Sequence, residues 1–323
     1  MSGRRFVSTA LRTGGMLTVL GFLGWRVWRV RYGLGTSLRT VGLGTALFAG
    51  ALALVGGVPG MFGWRMVLSG LGTRLELPVA LRVYFLAGLT RYLPGGVWPA
   101  VAHAALARTL RQPPGRLAGA FLASQALAVV AGLAVGLLAL PRLVATNPAW
   151  WLLVPAAAAT LVPLAHPRLL AAPLAVVQRI LRRGDHPVTL PDRRTLFAAT
   201  GLMALGWLVS GAHVAVLAVA LGAPLGQAAT IGIGGFALSV VAGVVTIVMP
   251  SGLGPREVVL GLTLATLLTG SELVTVVALS RVLITVGDLL VSGAVLATLA
   301  VSSRAVVPRV LPVPPRGVVD EAH

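Results

Sequence analysis

The sequence predicts an all-α, polytopic integral membrane protein of about seven to eight spans. Three observations predict it. Hydrophobic residues make up 57% of the 323 residues and charged residues only 11%, with a mean hydropathy of +0.92. A soluble chain carries roughly 25% charged residues, so this one lacks the charge to coat a water-facing surface. Apolar runs close to the ~20 residues that a helix needs to cross a bilayer recur along the chain. A Pro- and Gly-punctuated motif occurs twice, each time between apolar segments. Together these exclude a soluble enzyme, a disordered chain and an ordinary DNA-binding domain.

Taken in order, the first apolar run, 13–25, follows Arg4, Arg5 and Arg12 in the manner of a signal peptide. No small-x-small cleavage site follows it, so it reads as a retained anchor. Run 41–62 is the next span, and segment 78–110 is punctuated. Runs 117–140, 196–221 and 228–249 are full spans. Run 150–165 is interrupted by Pro155 and Pro163, 255–268 is short, and 273–301 is the last. Trp25, Trp28, Trp150 and Trp151 suit the headgroup belt.

The net charge is +18, from 26 basic and 8 acidic residues, and every basic residue among Lys and Arg is Arg. The arginines fall between apolar runs rather than along one stripe. Anionic lipid headgroups, not nucleic acid, are therefore the expected counter-charge. Loops rich in Arg stay on the cytoplasmic side. Segment 167–194, the turn holding Arg108, Arg111 and Arg116, and the tail with Arg304, Arg309 and Arg316 all read as inside. Turns 141–149, 222–227 and 269–272 hold Arg142 alone and read as outside. The expected location is the cytoplasmic membrane, with a cytoplasmic C-terminus. In the first quarter, Arg26, Arg29, Arg31 and Arg39 fit this pattern less well, because they fall outside if both early runs span. The absence of Cys excludes disulfides, thiolate metal sites and cysteine nucleophiles. No His/Glu set has metal-ligand spacing, no P-loop or nucleophile elbow is present, and no metal or cofactor is expected.

The repeated motif is P-x-G-x-x-P. Pro94-Gly95-Gly96-Val97-Trp98-Pro99 and Pro250-Ser251-Gly252-Leu253-Gly254-Pro255 match at three positions with a common offset of 156 residues. Pro94 and Pro250 lack a donor and break the preceding helix. The glycines permit a reversal at positive φ. Pro99 and Pro255 suit the first position of a new helix. Each motif thus reads as helix, break, helix, giving two broken or re-entrant hairpins in repeat halves 41–165 and 195–301. An interfacial linker, 167–194, joins the halves. Backbone broken at membrane depth persists only inside protein or beside a wet cavity. There, a new helix N-terminus favours an anion. The alternative is a pair of Pro-kinked hairpins turning at the membrane surface.

Charged residues cluster about these breaks. Arg91 precedes the first. Arg256 and Glu257 open the helix after the second. Arg281 and Asp288, seven residues apart in the last run, share one face about 10 Å apart along the axis. Arg91 and Arg256 have the forked geometry that matches phosphate, although snorkelling to headgroups is the other possibility. Glu257 suits capping of the helix as well as chemistry. Arg281 and Asp288 fit a headgroup path, or a structural ion pair with each other or with Arg256 and Glu257. His103 stands one turn beyond the first break and joins the candidates. Gln125 and His213, in mid-span, read as interhelical hydrogen-bonders.

The run Arg91-Tyr92-Leu93-Pro94-Gly95-Gly96-Val97-Trp98 resembles the aromatic–aliphatic–Pro-Gly signature of the lysylphosphatidylglycerol synthase transmembrane family. The run Pro250-Ser251-Gly252-Leu253-Gly254-Pro255-Arg256-Glu257 resembles its second signature, and Arg281 followed by Gly293 resembles its last helix. The resemblance implies a single flippase-like transmembrane domain over 1–323. It carries no soluble aminoacyl transferase domain, and so no synthesis of lysyl-lipid is expected. Asp288 departs from the apolar residue or Pro expected in that helix. The expected function is binding, and translocation across the membrane, of an anionic or polyprenyl-phosphate lipid. The expected lipid- or anion-binding residues are Arg91, Pro94, Gly95, Gly96, His103, Pro250, Gly252, Gly254, Arg256, Glu257, Arg281 and Asp288. Two alternatives stay open. One is a membrane-embedded transferase using a lipid-linked donor, for which Glu76, Glu257, Glu272 and Asp288 are the available carboxylates. The other is a non-transporting partner of a cell-envelope enzyme.

Overall fold

The computed structural model describes residues 28, 33, 35–93, 96–165, 191–246, 250–302 and 310–311. The early run 13–25 and most of linker 167–194 lie outside them, as do Pro94 and Gly95. The described chain is a helical bundle. Helix α1 (Gly35–Gly70) passes through a turn residue at Gly56, after which Gly57–Gly70 continue it. A loop with strand β1 (Arg74–Leu75) leads to α2 (Leu77–Leu89) and α3 (Trp98–Thr109). Helix α4 (Pro114–Gly136) continues through a 3-10 turn into α5 (Leu140–Thr146). Then come α6 (Leu153–Ala165), α7 (Arg193–Ala220), α8 (Leu225–Val245), α9 (Pro255–Leu264) and α10 (Gly270–Ser302). Strand β2 (Val310–Leu311) pairs antiparallel with β1, Arg74 opposite Leu311.

Five of these helical stretches are long and apolar enough to cross a membrane: α1, α4 with α5, α7, α8 and α10. The chain is therefore a multi-pass membrane protein by length and composition. In the expected span 150–165, a 3-10 turn (Pro148–Leu152) precedes α6, whose described residues end at Ala165.

Contacts sort the loops into two ends. At one end Thr73 donates to Gln112 at 3.3 Å and Arg116 to the Gly72 carbonyl at 3.4 Å. Gly70 lies against Pro191 there, and β2 pairs with β1. Arg74, Arg108, Arg111, Arg116, Arg193 and Arg194 sit at or beside these loops. At the other end Ser37 meets Ser271 at 3.2 Å and Arg142 donates to the Thr266 carbonyl at 3.5 Å. Helices α2 and α3 leave and return at the Arg-rich end. Helices α8 and α9 leave and return at the opposite end.

Two apolar cores hold the bundle. The first joins Met61, Trp64 and Leu68 of α1 to Val83, Ala107, Leu117, Leu127, Leu196 and Met203. The second joins Leu217, Ile231, Phe236, Leu260, Leu264, Leu273 and Val276. Small residues let helices approach, as membrane helices require. A Cβ on Gly232 would come within 2.7 Å of the Ala215 backbone nitrogen, between α8 and α7. Leu43, Leu47 and Phe48 on α1, Phe197 on α7, and Val282 and Leu289 on α10 stay exposed. They form the apolar exterior that a bilayer covers.

Candidate functional site

The described residues between the helices of each hairpin are irregular or 3-10. Helix α2 ends at Leu89 and α8 at Val245, which are again 156 residues apart. Both helices stop five residues before their prolines, one residue short of the i−4 carbonyl that a proline ring displaces. After α2 the chain winds on as a 3-10 turn (Thr90–Tyr92), and Leu93 is extended at φ −77°, ψ 144°. A residue preceding proline is forced into that region. Pro250 instead opens a second 3-10 turn, Pro250–Gly252. Pro255 is the first residue of α9, whereas Pro99 is the second residue of α3.

The second reversal turns on three residues at positive φ: Ser251 at 50°, Gly252 at 66° and Gly254 at 97°. Gly252 also presses on Gly243 of α8, so a Cβ there would collide with the Gly243 Cα. This explains the motif's glycine. It must be small as well as left-handed, because the turn lies on a helix backbone. The two 3-10 turns, Thr90–Tyr92 and Pro250–Gly252, are in contact. At 1.5 Å per residue, α2 carries its turn about 20 Å from one end and α9 starts about 15 Å from the other. On these lengths the two turns meet within the bundle, away from both ends.

Helix α10 passes both turns and binds each with one charged residue. Asp288 accepts from Arg91 Nη2 at 2.8 Å and from Tyr92 Oη at 2.6 Å. Arg281 Nη1 donates to the Ser251 carbonyl at 3.1 Å and stands 3.5 Å from Glu257 Oε1. Arg281 and Asp288 thus pair with the breaks and not with each other. Glu257 Oε2 also accepts from the Gly254 backbone N–H at 2.6 Å, capping α9. Its carboxylate is engaged at both oxygens.

Arg256 is left over. It is only 8% exposed, and its Nη2 has no hydrogen-bond partner among the described residues. Its Cζ lies 5.1 Å from the Phe236 ring centroid. Arg91, Tyr92, Glu257 and Arg281 lie within electrostatic reach. The arrangement is electrostatically incomplete. Three guanidiniums meet two carboxylates, and the unpaired one stands at the second residue of α9, where the helix dipole is positive. Cation–π contact with Phe236 offsets about 0.5–2 kcal/mol, less than the several kcal/mol that burying an unpaired ion costs. An anion placed here would satisfy both the guanidinium and the helix end.

The other candidates fall elsewhere. Gly96 is exposed in the first reversal. His103 faces the first core, stacked on Phe121 at 4.7 Å and edge-on to Trp64 at 5.5 Å. Its Nδ1 bonds to the Pro99 carbonyl at 2.7 Å, and its Nε2 has no partner among the described residues. It does not join the arginine cluster. His213 links α7 to α10 through Ser280 Oγ at 2.8 Å and bonds its Nδ1 to the Ser210 carbonyl. Sequence reasoning missed Tyr92 as a ligand of Asp288, Phe236 beneath Arg256, and Gly243 under the second turn. Tyr92 was visible as a neighbour of Arg91; nothing in the sequence marked the other two. Compared with known proteins, the chain matches no family model and no curated protein.

Proposed function

We propose that the meeting point of the two breaks is an anion site for a lipid headgroup, and that the protein binds and translocates an anionic or polyprenyl-phosphate lipid across the cytoplasmic membrane. The observation that carries this is the buried Arg256 at the start of α9, whose Nη2 has no hydrogen-bond partner among the described residues. Phosphate supplies the paired oxygens that a guanidinium fork and a helix N-terminus both accept. The hairpins open to opposite ends and share an offset of 156 residues at their helix stops. That supports an inverted repeat, the architecture in which broken helices hold a substrate near the bilayer midplane. In this reading the two hairpins are re-entrant and count with the long helices toward seven to eight spans. The Arg-rich end, with linker 167–194 and the C-terminus, is cytoplasmic. The likeness of the two Pro-Gly runs to the lysylphosphatidylglycerol synthase transmembrane family agrees with this. The transferase alternative is less favoured, because Glu257 and Asp288 each already accept two contacts.

The test is lipid movement in liposomes reconstituted with the full chain. Arg256→Gln is expected to weaken handling of fluorescent phosphatidylglycerol roughly tenfold or more, from the ~1.5–3 kcal/mol of a charge-assisted contact. Phosphatidylcholine movement should not change, and the melting temperature should hold or rise, because the variant removes an unpaired buried charge. A lower melting temperature with unaltered lipid selectivity would make Arg256 structural and remove the site.

A further inference from the structure

We propose that Asp288 is a built-in competitor for the lipid's anion. It occupies Arg91 and Tyr92 in the empty protein and must release them before a phosphate binds. The inference rests on the anion site proposed above and adds how that site is regulated.

The geometry is that of a bound ligand. One carboxylate oxygen takes Arg91 Nη2 at 2.8 Å and the other takes Tyr92 Oη at 2.6 Å. Both donors belong to the first break, and the acceptor comes from α10, 196 and 197 residues away in sequence. A phosphate oxygen pair would use the same two donors. Exposure is unequal. The Arg91 side chain is 44% exposed and that of Asp288 only 18%. An incoming anion therefore approaches Arg91 from its open flank while the carboxylate holds the inner one. That open flank gives a ligand access to the bond that Asp288 makes.

Glu257 marks the contrast. It holds Arg281 at 3.5 Å, and its other oxygen caps α9 through Gly254. Displacing Glu257 would uncap a helix, whereas displacing Asp288 opens only side-chain contacts. Of the two carboxylates, Asp288 is the one free to move.

A site filled by its own carboxylate for most of the time binds ligand more weakly by the fraction of time it stands open. Removing the competitor must strengthen binding. This sign separates the inference from a positioning role, in which loss of Asp288 would misplace Arg91 and weaken binding.

The experiment titrates detergent-solubilised full chain with dodecyl phosphate, with inorganic phosphate as a headgroup-only arm and dodecylphosphocholine as a zwitterionic arm. Asp288→Asn is expected to tighten dodecyl phosphate roughly tenfold, and Arg91→Gln in the same chain to abolish the gain. Tighter inorganic phosphate as well would identify the headgroup alone as the competing chemistry; a gain confined to dodecyl phosphate would show that the acyl chain is needed. Asp288→Ser also removes the carboxylate and leaves both Arg91 and Tyr92 as donors for the phosphate. It is expected to tighten binding to a similar extent, and it decides the question if Asp288→Asn does not fold. Unchanged or weaker binding in these variants, with wild type still binding, would overturn the competitor while leaving the anion site intact. No binding of dodecyl phosphate by wild type and variants alike would overturn the anion site itself.

Discussion

At the scale of single residues, the second break is defined by what fits beneath it. Gly252 combines φ of 66° with a backbone contact to Gly243. Gly252→Ala therefore pays twice, once for the left-handed conformation at ~1–2 kcal/mol and once for the collision. A total loss of at least ~2 kcal/mol follows, read as a lower melting temperature than Gly261→Ala, whose Cβ meets nothing within 4 Å. Equal melting temperatures would mean that the turn moves away freely. The sequence implied that Gly252 permits a left-handed reversal, because P-x-G-x-x-P spans a break. It did not show Gly243 as the neighbour, because nothing local encodes which helix passes behind a turn. The same limit applies to Asp288. Helical spacing put it on a face with Arg281, but a face does not name its partner, and Arg91 and Tyr92 come from the other half of the chain.

At the scale of elements, α10 acts as a strap across both breaks. Arg281 holds the second through the Ser251 carbonyl and Glu257, with side chains only 18% and 10% exposed. Arg281→Gln leaves Glu257 without its cation and Ser251 without its donor. The expected cost is ~1–3 kcal/mol, measured as a lower melting temperature. The loss should shrink in Arg281→Gln with Glu257→Gln, since the stranded charge is then gone. Additive losses in the double variant would show that the pair does not couple. Long helices were legible from composition alone, and α4, α7, α8 and α10 begin and end within a few residues of the apolar runs. The break positions were less legible. Proline marked the reversals, but the helices stop at Leu89 and Val245, because steric exclusion before proline and the turn itself consume several residues. Run 150–165 read as one apolar stretch, and its helix starts at Leu153, after a 3-10 turn (Pro148–Leu152). Hydropathy measures how apolar a segment is, not where its helix starts.

At the scale of the molecule, the loops fall into an Arg-rich end and an Arg-poor end, with one hairpin opening to each. The proposed orientation places the Arg-rich end in the cytoplasm. A phosphatase reporter that works only outside the membrane, fused after Arg304, should be inactive, and one fused after Ala223 should be active. The reverse pattern would invert the protein in the membrane and exchange the sides to which the two hairpins open.

The central claim is that the meeting breaks hold an anion on Arg256. Equilibrium binding of dodecyl phosphate to the solubilised full chain tests it most directly, with dodecylphosphocholine as the control. The account predicts saturable binding of the phosphate by wild type, weakened roughly ten- to a hundredfold in Arg256→Gln, at a melting temperature no lower than that of wild type. Equal binding of dodecyl phosphate by wild type and Arg256→Gln would contradict it.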